Sequence, residues 1–98
     1  MPIEIGILAT LEAKEGKGDE LAEFLEKGRE MAAAEGGTIT WYAFKMSNTT
    51  YGIFDTFETE EGRQAHLSGP IVNALEGIGP DLLDGEPVIM QLDILAVK

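Results

Sequence analysis

The sequence predicts one α+β domain of the ferredoxin-like type, with its elements in the order βαββαβ. Apolar residues alternate with other residues at the start, in the middle and at the end of the chain, which is typical of strands. Two stretches with helical spacing separate these segments. Because 98 residues can build little more than one layer of helices on one sheet, we expect residues 1–98 to form a single domain. The predicted architecture is an antiparallel sheet with helices on one face.

The first half of the chain contains a strand, a long helix and the first strand of a hairpin. Apolar side chains at every second position from Ile3 to Leu11 indicate the strand. A stripe with i, i+3, i+4, i+7 spacing indicates the helix: Leu21, Phe24, Leu25, Gly28, Met31 and Ala32. We expect Gly36-Gly37 to end this helix in the left-handed conformation. Residues 38–46 are rich in β-branched and aromatic side chains, which predicts the next strand.

The second half of the chain completes the hairpin and adds two helical segments. Residues 47–50 form the predicted turn, and residues 51–58 form the third strand. Thr59 is suited to cap a short helix. Pro70 is suited to begin a further helix, which we expect to end at Gly79-Pro80.

The last predicted strand, Val88–Val97, carries the argument for a partner. One of its faces is wholly apolar and consists of Val88, Met90, Leu92, Ile94 and Ala96. The other face mixes apolar and polar residues and consists of Ile89, Gln91, Asp93, Leu95 and Val97. Because a sheet face in water should be polar, the apolar residues on the mixed face indicate that a second copy of the chain covers it. We therefore expect a homodimer.

The composition excludes several classes of partner. The chain has 18 acidic residues against seven Lys and Arg, whereas nucleic-acid binding requires clustered cations, so neither nucleic acid nor a membrane is an expected partner. The absence of cysteine excludes disulfides and thiol nucleophiles. The first residues lack the features of a secretion signal, and no apolar stretch approaches the roughly 20 residues that span a bilayer. We expect a cytoplasmic protein.

No motif for a cofactor or metal is present in the sequence. The segment Gly16-Lys17-Gly18 lacks the glycine spacing of a phosphate loop or a dinucleotide fingerprint. The single histidine excludes metal sites built from several histidines. We therefore expect the protein to contain neither a cofactor nor a metal.

His66 is the one side chain that ordinarily exchanges protons near neutral pH. On a helical wheel of residues 59–68, it lies near the centre of the inward arc, between Ala65 and Leu67. Two interpretations remain open. His66 is either a hydrogen-bonded residue at the edge of the core or an imidazole that faces a ligand.

Aromatic side chains are concentrated in the predicted hairpin: Trp41, Tyr42, Phe44, Phe54 and Phe57. They can be core residues, or they can form a flat apolar slot for a planar organic ligand. Because adjacent strand residues point to opposite faces, Trp41 and Tyr42 cannot both line one slot.

Residues 54–70, which read Phe-Asp-Thr-Phe-Glu-Thr-Glu-Glu-Gly-Arg-Gln-Ala-His-Leu-Ser-Gly-Pro, resemble the signature of the antibiotic biosynthesis monooxygenase family. The opening strand, the long first helix and the closing strand fit as well, so the resemblance spans nearly the whole chain. It implies a dimeric α/β barrel made of two ferredoxin-like subunits, each with a pocket between sheet and helices. Haem-degrading members carry an Asn near the end of the first strand, where this chain has Leu8-Ala9-Thr10, so haem is not implied.

The resemblance also implies an activity, that of a cofactor-independent monooxygenase acting on a small aromatic or quinol-type molecule. The family's recurring acid and histidine fall on Asp55 and His66. We expect His66 to be the base that deprotonates the substrate, and Asp55 to orient it or to fix the start of the helix. The side chains expected to line the slot are Trp41 or Tyr42, Phe57 and Met90. Two alternatives remain, a non-catalytic module that binds a small hydrophobic metabolite and an isomerase that uses His66 for proton transfer.

Overall fold

The predicted order of strands and helices is confirmed by a computed structural model of the chain, which describes residues 3–98. The elements are β1 (Ile5–Glu12), α1 (Gly18–Ala34), β2 (Thr38–Lys45), β3 (Thr50–Phe57), α2 (Glu60–Leu67), α3 (Pro70–Leu82) and β4 (Val88–Asp93). The four strands form one antiparallel sheet in the order β2-β3-β1-β4. Because the three helices pack on one face of this sheet, the fold is the ferredoxin-like α+β arrangement.

The ends of the helices follow their local sequence. The Thr59 hydroxyl accepts a hydrogen bond from the Gly62 N–H at 3.1 Å, so α2 begins with the expected side-chain cap. Pro70 occupies the start of α3, where its missing N–H costs nothing. The helix α3 continues past Pro80 to Leu82, contrary to the expected end at Gly79-Pro80. Leu82 and Leu83 are buried, so tertiary packing outweighs the helix-breaking tendency of the proline.

The hydrophobic core lies between the helices and one face of the sheet. Alternate residues of β1 and β3 supply the sheet side of this core: Ile7, Ala9, Leu11, Tyr51, Ile53 and Phe57. Leu21 and Leu25 of α1 and Ile71 and Leu75 of α3 supply the helix side. In the described part of the chain, no helix is long and apolar enough to cross a membrane.

The two faces of β4 are the reverse of what the sequence predicted. Met90 pairs with Leu8 and Ile89 pairs with Ala9, so the wholly apolar face of β4 lies on the side of the sheet that no helix covers. The mixed face, with Ile89, Gln91 and Asp93, lies on the helix side. The predicted alternation of side chains along this strand was correct, but a period of two does not indicate which face of the strand packs against the helices. The strand also ends at Asp93, four residues before the predicted end.

The expected left-handed stop at Gly36-Gly37 is wrong, because α1 ends at Ala34 and its C-cap residue Glu35 has an extended backbone. Neither glycine has a positive φ, which within the described chain occurs only at Gly16 and Gly85. Gly37 instead lies directly against the start of α2, where a Cβ on it would come within 2.8 Å of the Gly62 Cα. A Cβ on Gly36 would meet nothing within 4 Å. The glycine at position 37 therefore allows two backbones to touch and holds the end of α1 against α2.

This contact predicts different effects for two neighbouring substitutions. Gly37→Ala should lower the free energy of unfolding by about 1–3 kcal/mol, because the new methyl group has no room beside the Gly62 backbone. Gly36→Ala should leave the free energy of unfolding unchanged or raise it by up to about 1 kcal/mol. Urea unfolding of the two variants checks this, and equal effects at both positions would show that the glycine contact does not constrain the fold.

Candidate functional site

His66 lies in the interior, as its position on the helical wheel indicated. Its side chain is only 6% exposed, although it belongs to the last turn of the mostly polar helix α2. The ring lies against the ring of Phe57, with 5.4 Å between the two centroids and a tilt of 48°. His66 is therefore packed between α2 and the helix-covered face of the sheet.

Asp55 provides the first contact to the imidazole. It is at the centre of the sheet on β3, paired with Ile7 on one side and Trp41 on the other, and it is fully buried. Its Oδ2 lies 2.8 Å from Nε2 of His66. This is an ion-pair contact that lacks the alignment of a linear hydrogen bond. The structure thus brings together the two residues to which the family resemblance assigned the catalytic roles.

Glu35 provides the second contact, which the sequence analysis missed. It is the C-cap residue of α1, and its Oε1 lies 2.6 Å from Nδ1 of His66. The Thr38 hydroxyl donates to the same Oε1 at 2.8 Å. No spacing in the sequence links Glu35 to a residue 31 positions later. Its position just before two glycines indicated the end of a helix. It did not indicate that the Glu35 carboxylate points into the interior.

The two carboxylates decide the charge of the imidazole. Burial by itself lowers the pKa of His66, but the contacts with Asp55 and then Glu35 outweigh it and raise the pKa from 6.5 to about 9. His66 is therefore a cation at neutral pH. A protonated imidazole can donate a proton or stabilise a negative charge, but it cannot accept a proton. This charge does not suit the general base that the resemblance led us to expect.

Phe57 and Trp41 lie on the same side of the sheet as His66. Phe57 is fully buried, so it is a core residue that packs on the imidazole. Trp41 is half-buried on β2, and its ring lies beneath α1, where a Cβ on Gly28 would lie 3.4 Å from it. The indole Nε1 of Trp41 is buried without a hydrogen-bond partner.

Tyr42 and Met90 lie on the opposite, helix-free side of the sheet. Tyr42 pairs with Phe54, Phe54 with Leu8, and Leu8 with Met90, so these residues form one row across that face. The predicted slot lined by Trp41 or Tyr42 together with Phe57 and Met90 is therefore wrong. Met90 and Phe57 are separated by the sheet itself, because register places their side chains on different faces.

A cleft with a volume of about 600 Å³ lies on the helix-covered side of the sheet, between α3 and β4. Its walls are mainly apolar, with Val72, Leu75, Leu83 and Ile89 among them, and two carboxylates, Glu76 and Glu86, line it too. The left-handed turn at Gly85, with φ +87°, shapes one wall. Neither His66 nor Asp55 lines this cleft.

Arg63 is a second buried charge on α2, and the sequence analysis also missed its role. Its guanidinium forms two hydrogen bonds with the Glu60 carboxylate, at 2.6 and 3.0 Å, and donates to the carbonyls of Gly6 and Leu92. The bonds from Arg63, and then from Gln64, hold the pKa of Glu60 down at about 2. The hydrogen bonds of Arg63 therefore connect α2 to β1 and β4.

Comparison with known proteins identifies a family for the chain. The crystal structure of NE2512 from Nitrosomonas europaea, a protein of unknown function, is 42% identical in sequence and superimposes with a TM-score of 0.96. The match covers 98% of this chain and 93% of that one. The chain belongs to the same family as NE2512. No protein-family model and no curated protein matches it.

More distant structures share the fold. A proposed antibiotic biosynthesis monooxygenase from Nitrosomonas europaea has a TM-score of 0.83 at 12% identity, over 97% of this chain and 93% of that one. Another, from Caulobacter crescentus, has a TM-score of 0.79 at 21% identity, over 96% and 92%. The resemblance to the antibiotic biosynthesis monooxygenases is therefore confirmed at the level of the fold.

The charge on His66 predicts how stability depends on pH. The pKa of His66 is about 9 in the folded chain and about 6.5 when unfolded, so its contribution is fully present below pH 6.5 and is lost as the pH rises through 9. The contribution amounts to roughly 3 kcal/mol. The difference in unfolding free energy between wild type and His66→Gln should shrink by about that amount between pH 6.5 and 9.5. A difference that stays constant across this window would mean that His66 is neutral when folded.

Proposed function

We propose that the protein is a homodimeric, cofactor-independent monooxygenase that acts on a small aromatic or quinol-type molecule. One observation carries this proposal: a buried imidazole lies between two carboxylates, in a fold shared with proposed antibiotic biosynthesis monooxygenases. Buried titratable groups with strongly shifted pKa values are concentrated at functional sites.

The cleft between α3 and β4 is the substrate site that we propose. Its volume of about 600 Å³ falls in the range typical of small-molecule sites, and its apolar walls suit an aromatic ring. The cleft residue Ile89 lies in the same row across the sheet as Ala9 and Ile53. Asp55 lies in the next row, two residues along β3 from Ile53. The cleft and the charge cluster therefore occupy neighbouring parts of the same helix-covered face.

The chemistry that fits these residues uses His66 as a positive charge. Oxygenation without a cofactor requires an electron-rich anion of the substrate, which can pass an electron to dioxygen. A nearby imidazolium favours that anion electrostatically, provided that water is excluded. Glu76 and Glu86 are the carboxylates positioned in the cleft to take a proton from the substrate.

A second candidate function, binding without catalysis, is favoured by one observation. His66 does not line the cleft, so a hydrophobic metabolite bound there would not touch the imidazole. The charge cluster would then only stabilise the fold. An isomerase is less well supported, because proton abstraction by His66 requires a neutral ring.

The homodimer is supported by the helix-free face of the sheet. The twelve central residues of this face include no charged one: Gly6, Leu8, Thr10, Thr40, Tyr42, Phe44, Gly52, Phe54, Thr56, Val88, Met90 and Leu92. Tyr42 is 58% exposed and Met90 is 45% exposed in the single chain. In a protein with a net charge of −11, this uncharged surface is where two copies can meet with least repulsion. Such an apolar face in water marks an interaction site.

The activity prediction concerns His66. Oxygen uptake with quinol and anthrone substrates in metal-free buffer should fall by about 10²–10³-fold in His66→Ala, relative to the amount of folded protein, because the positive charge that stabilises the substrate anion is lost. Gln64→Ala, on the exposed side of the same helix, should retain the wild-type rate. The wild-type rate should fall as the pH rises through 9, because the imidazolium loses its charge.

Two outcomes would contradict this prediction. Full turnover by folded His66→Ala would give His66 a structural role only. If wild type consumes no oxygen with these substrates but binds a hydrophobic fluorescent probe in the cleft, the non-catalytic binding function replaces the proposed one.

The assembly prediction compares two neighbouring positions on β4. Met90→Glu places a charge on the helix-free face and should convert a dimer into monomers, because a buried unpaired charge is costly. Ile89→Glu, on the helix side and 43% exposed, should leave the dimer intact and weaken binding in the cleft. Light scattering at micromolar concentration measures both. A monomeric wild type would refute the dimer.

A further inference from the structure

Glu35 reaches His66 from a different helix, and its position is determined by several contacts. Its carboxylate accepts from the Thr38 hydroxyl at 2.8 Å, and its side chain is only 16% exposed. The contact between Gly37 and Gly62 holds the end of α1 against the start of α2. The second oxygen, Oε2, is buried near Gly69 and has no hydrogen-bond partner, so Oε1 alone makes the polar contacts of this carboxylate.

The charged groups around His66 come from each element packed against it. Asp55 approaches Nε2 from β3, and Glu35 approaches Nδ1 from the end of α1. Arg63, on the same helix as His66, directs its guanidinium to Glu60 and to two strand carbonyls. The two carboxylates are therefore the charges that act on the imidazole most directly.

The number of N–H groups on the ring decides which protonation state of His66 fits between the two carboxylates. A neutral imidazole has one N–H and one bare nitrogen, so it can satisfy only one of two carboxylates. The unprotonated nitrogen of the ring would then face the negative charge of the other carboxylate. Only the imidazolium carries a proton on both nitrogens. A carboxylate oxygen of Glu35 lies 2.6 Å from Nδ1, and one of Asp55 lies 2.8 Å from Nε2 as an ion-pair contact. Because both nitrogens face negative charge, the geometry selects the cation.

We propose that Glu35 is a positioning residue of the His66 site: it holds the Nδ1 proton, fixes the orientation of the ring and keeps His66 positively charged. Asp55 alone could be satisfied by a neutral ring protonated on Nε2. Glu35 is the group that makes the second proton necessary. This inference concerns the resting protein, so it does not depend on the proposed oxygenation.

The experiment is an NMR titration of the ring nitrogens and carbons of His66. Because the chain has one histidine, the labelled ring gives a single set of signals. In wild type, both ring nitrogens should be protonated at pH 7.5. Glu35→Gln, which keeps the shape of the side chain but removes its charge, should lower the titration midpoint by about one pH unit or more. Glu30→Gln, at an exposed position on α1, is the matched control and should leave the midpoint unchanged.

Three outcomes would overturn the proposal. One is a wild-type ring with a bare Nδ1 at pH 7.5, a measurement that needs no variant and decides the matter even if Glu35→Gln does not fold. Another is a midpoint in Glu35→Gln equal to that in Glu30→Gln. The third is a loss of thermal stability in Glu35→Gln without any change in the titration, which is the result expected if Glu35 only ends α1.

Discussion

The structure depends on one electrostatic arrangement, an imidazolium enclosed by two carboxylates. His66 comes from α2, Asp55 from the centre of the sheet and Glu35 from the end of α1, so the cluster joins three elements that are distant in sequence. Burying these charges is costly, and the cost is offset only while all three are present. Removing one leaves its partners buried and unpaired. The close contact between Gly37 and Gly62 is required for this cluster, because it brings the end of α1 within reach of α2.

The second constraint is the unequal covering of the sheet. One face carries the helices, the core and the charge cluster, whereas the other presents an uncharged, largely apolar surface. A single layer of helices is all that a chain of 98 residues can supply. We propose that a second copy, which has an identical uncharged surface, covers the second face. The cleft between α3 and β4 lies on the covered face, so dimer formation through the helix-free face would leave it open.

Most of the fold could be predicted from the sequence, because strand alternation, helical stripes and caps are local signals. Thr59 and Pro70 mark helix starts through chemistry that involves only a few neighbouring residues. The choice of face for β4 could not be predicted, because both of its faces carry apolar residues and pairing decides between them. Pro80 was expected to end a helix, but the burial of Leu82 and Leu83 extends it.

The candidate site was predictable only in part. The inward position of His66 follows from the helical wheel, and its pairing with Asp55 agrees with the resemblance. Glu35 and Arg63 could not be found, because their partners are brought near by the tertiary fold and no local spacing indicates them.

The most direct measurement of the central claim is a double-mutant cycle between Asp55→Asn and His66→Gln, followed by urea unfolding at pH 7. The account predicts a coupling free energy of about 2–3 kcal/mol, with the double variant less destabilised than the sum of the single variants. A coupling free energy near zero would show that the two side chains do not interact as an ion pair and would contradict the account.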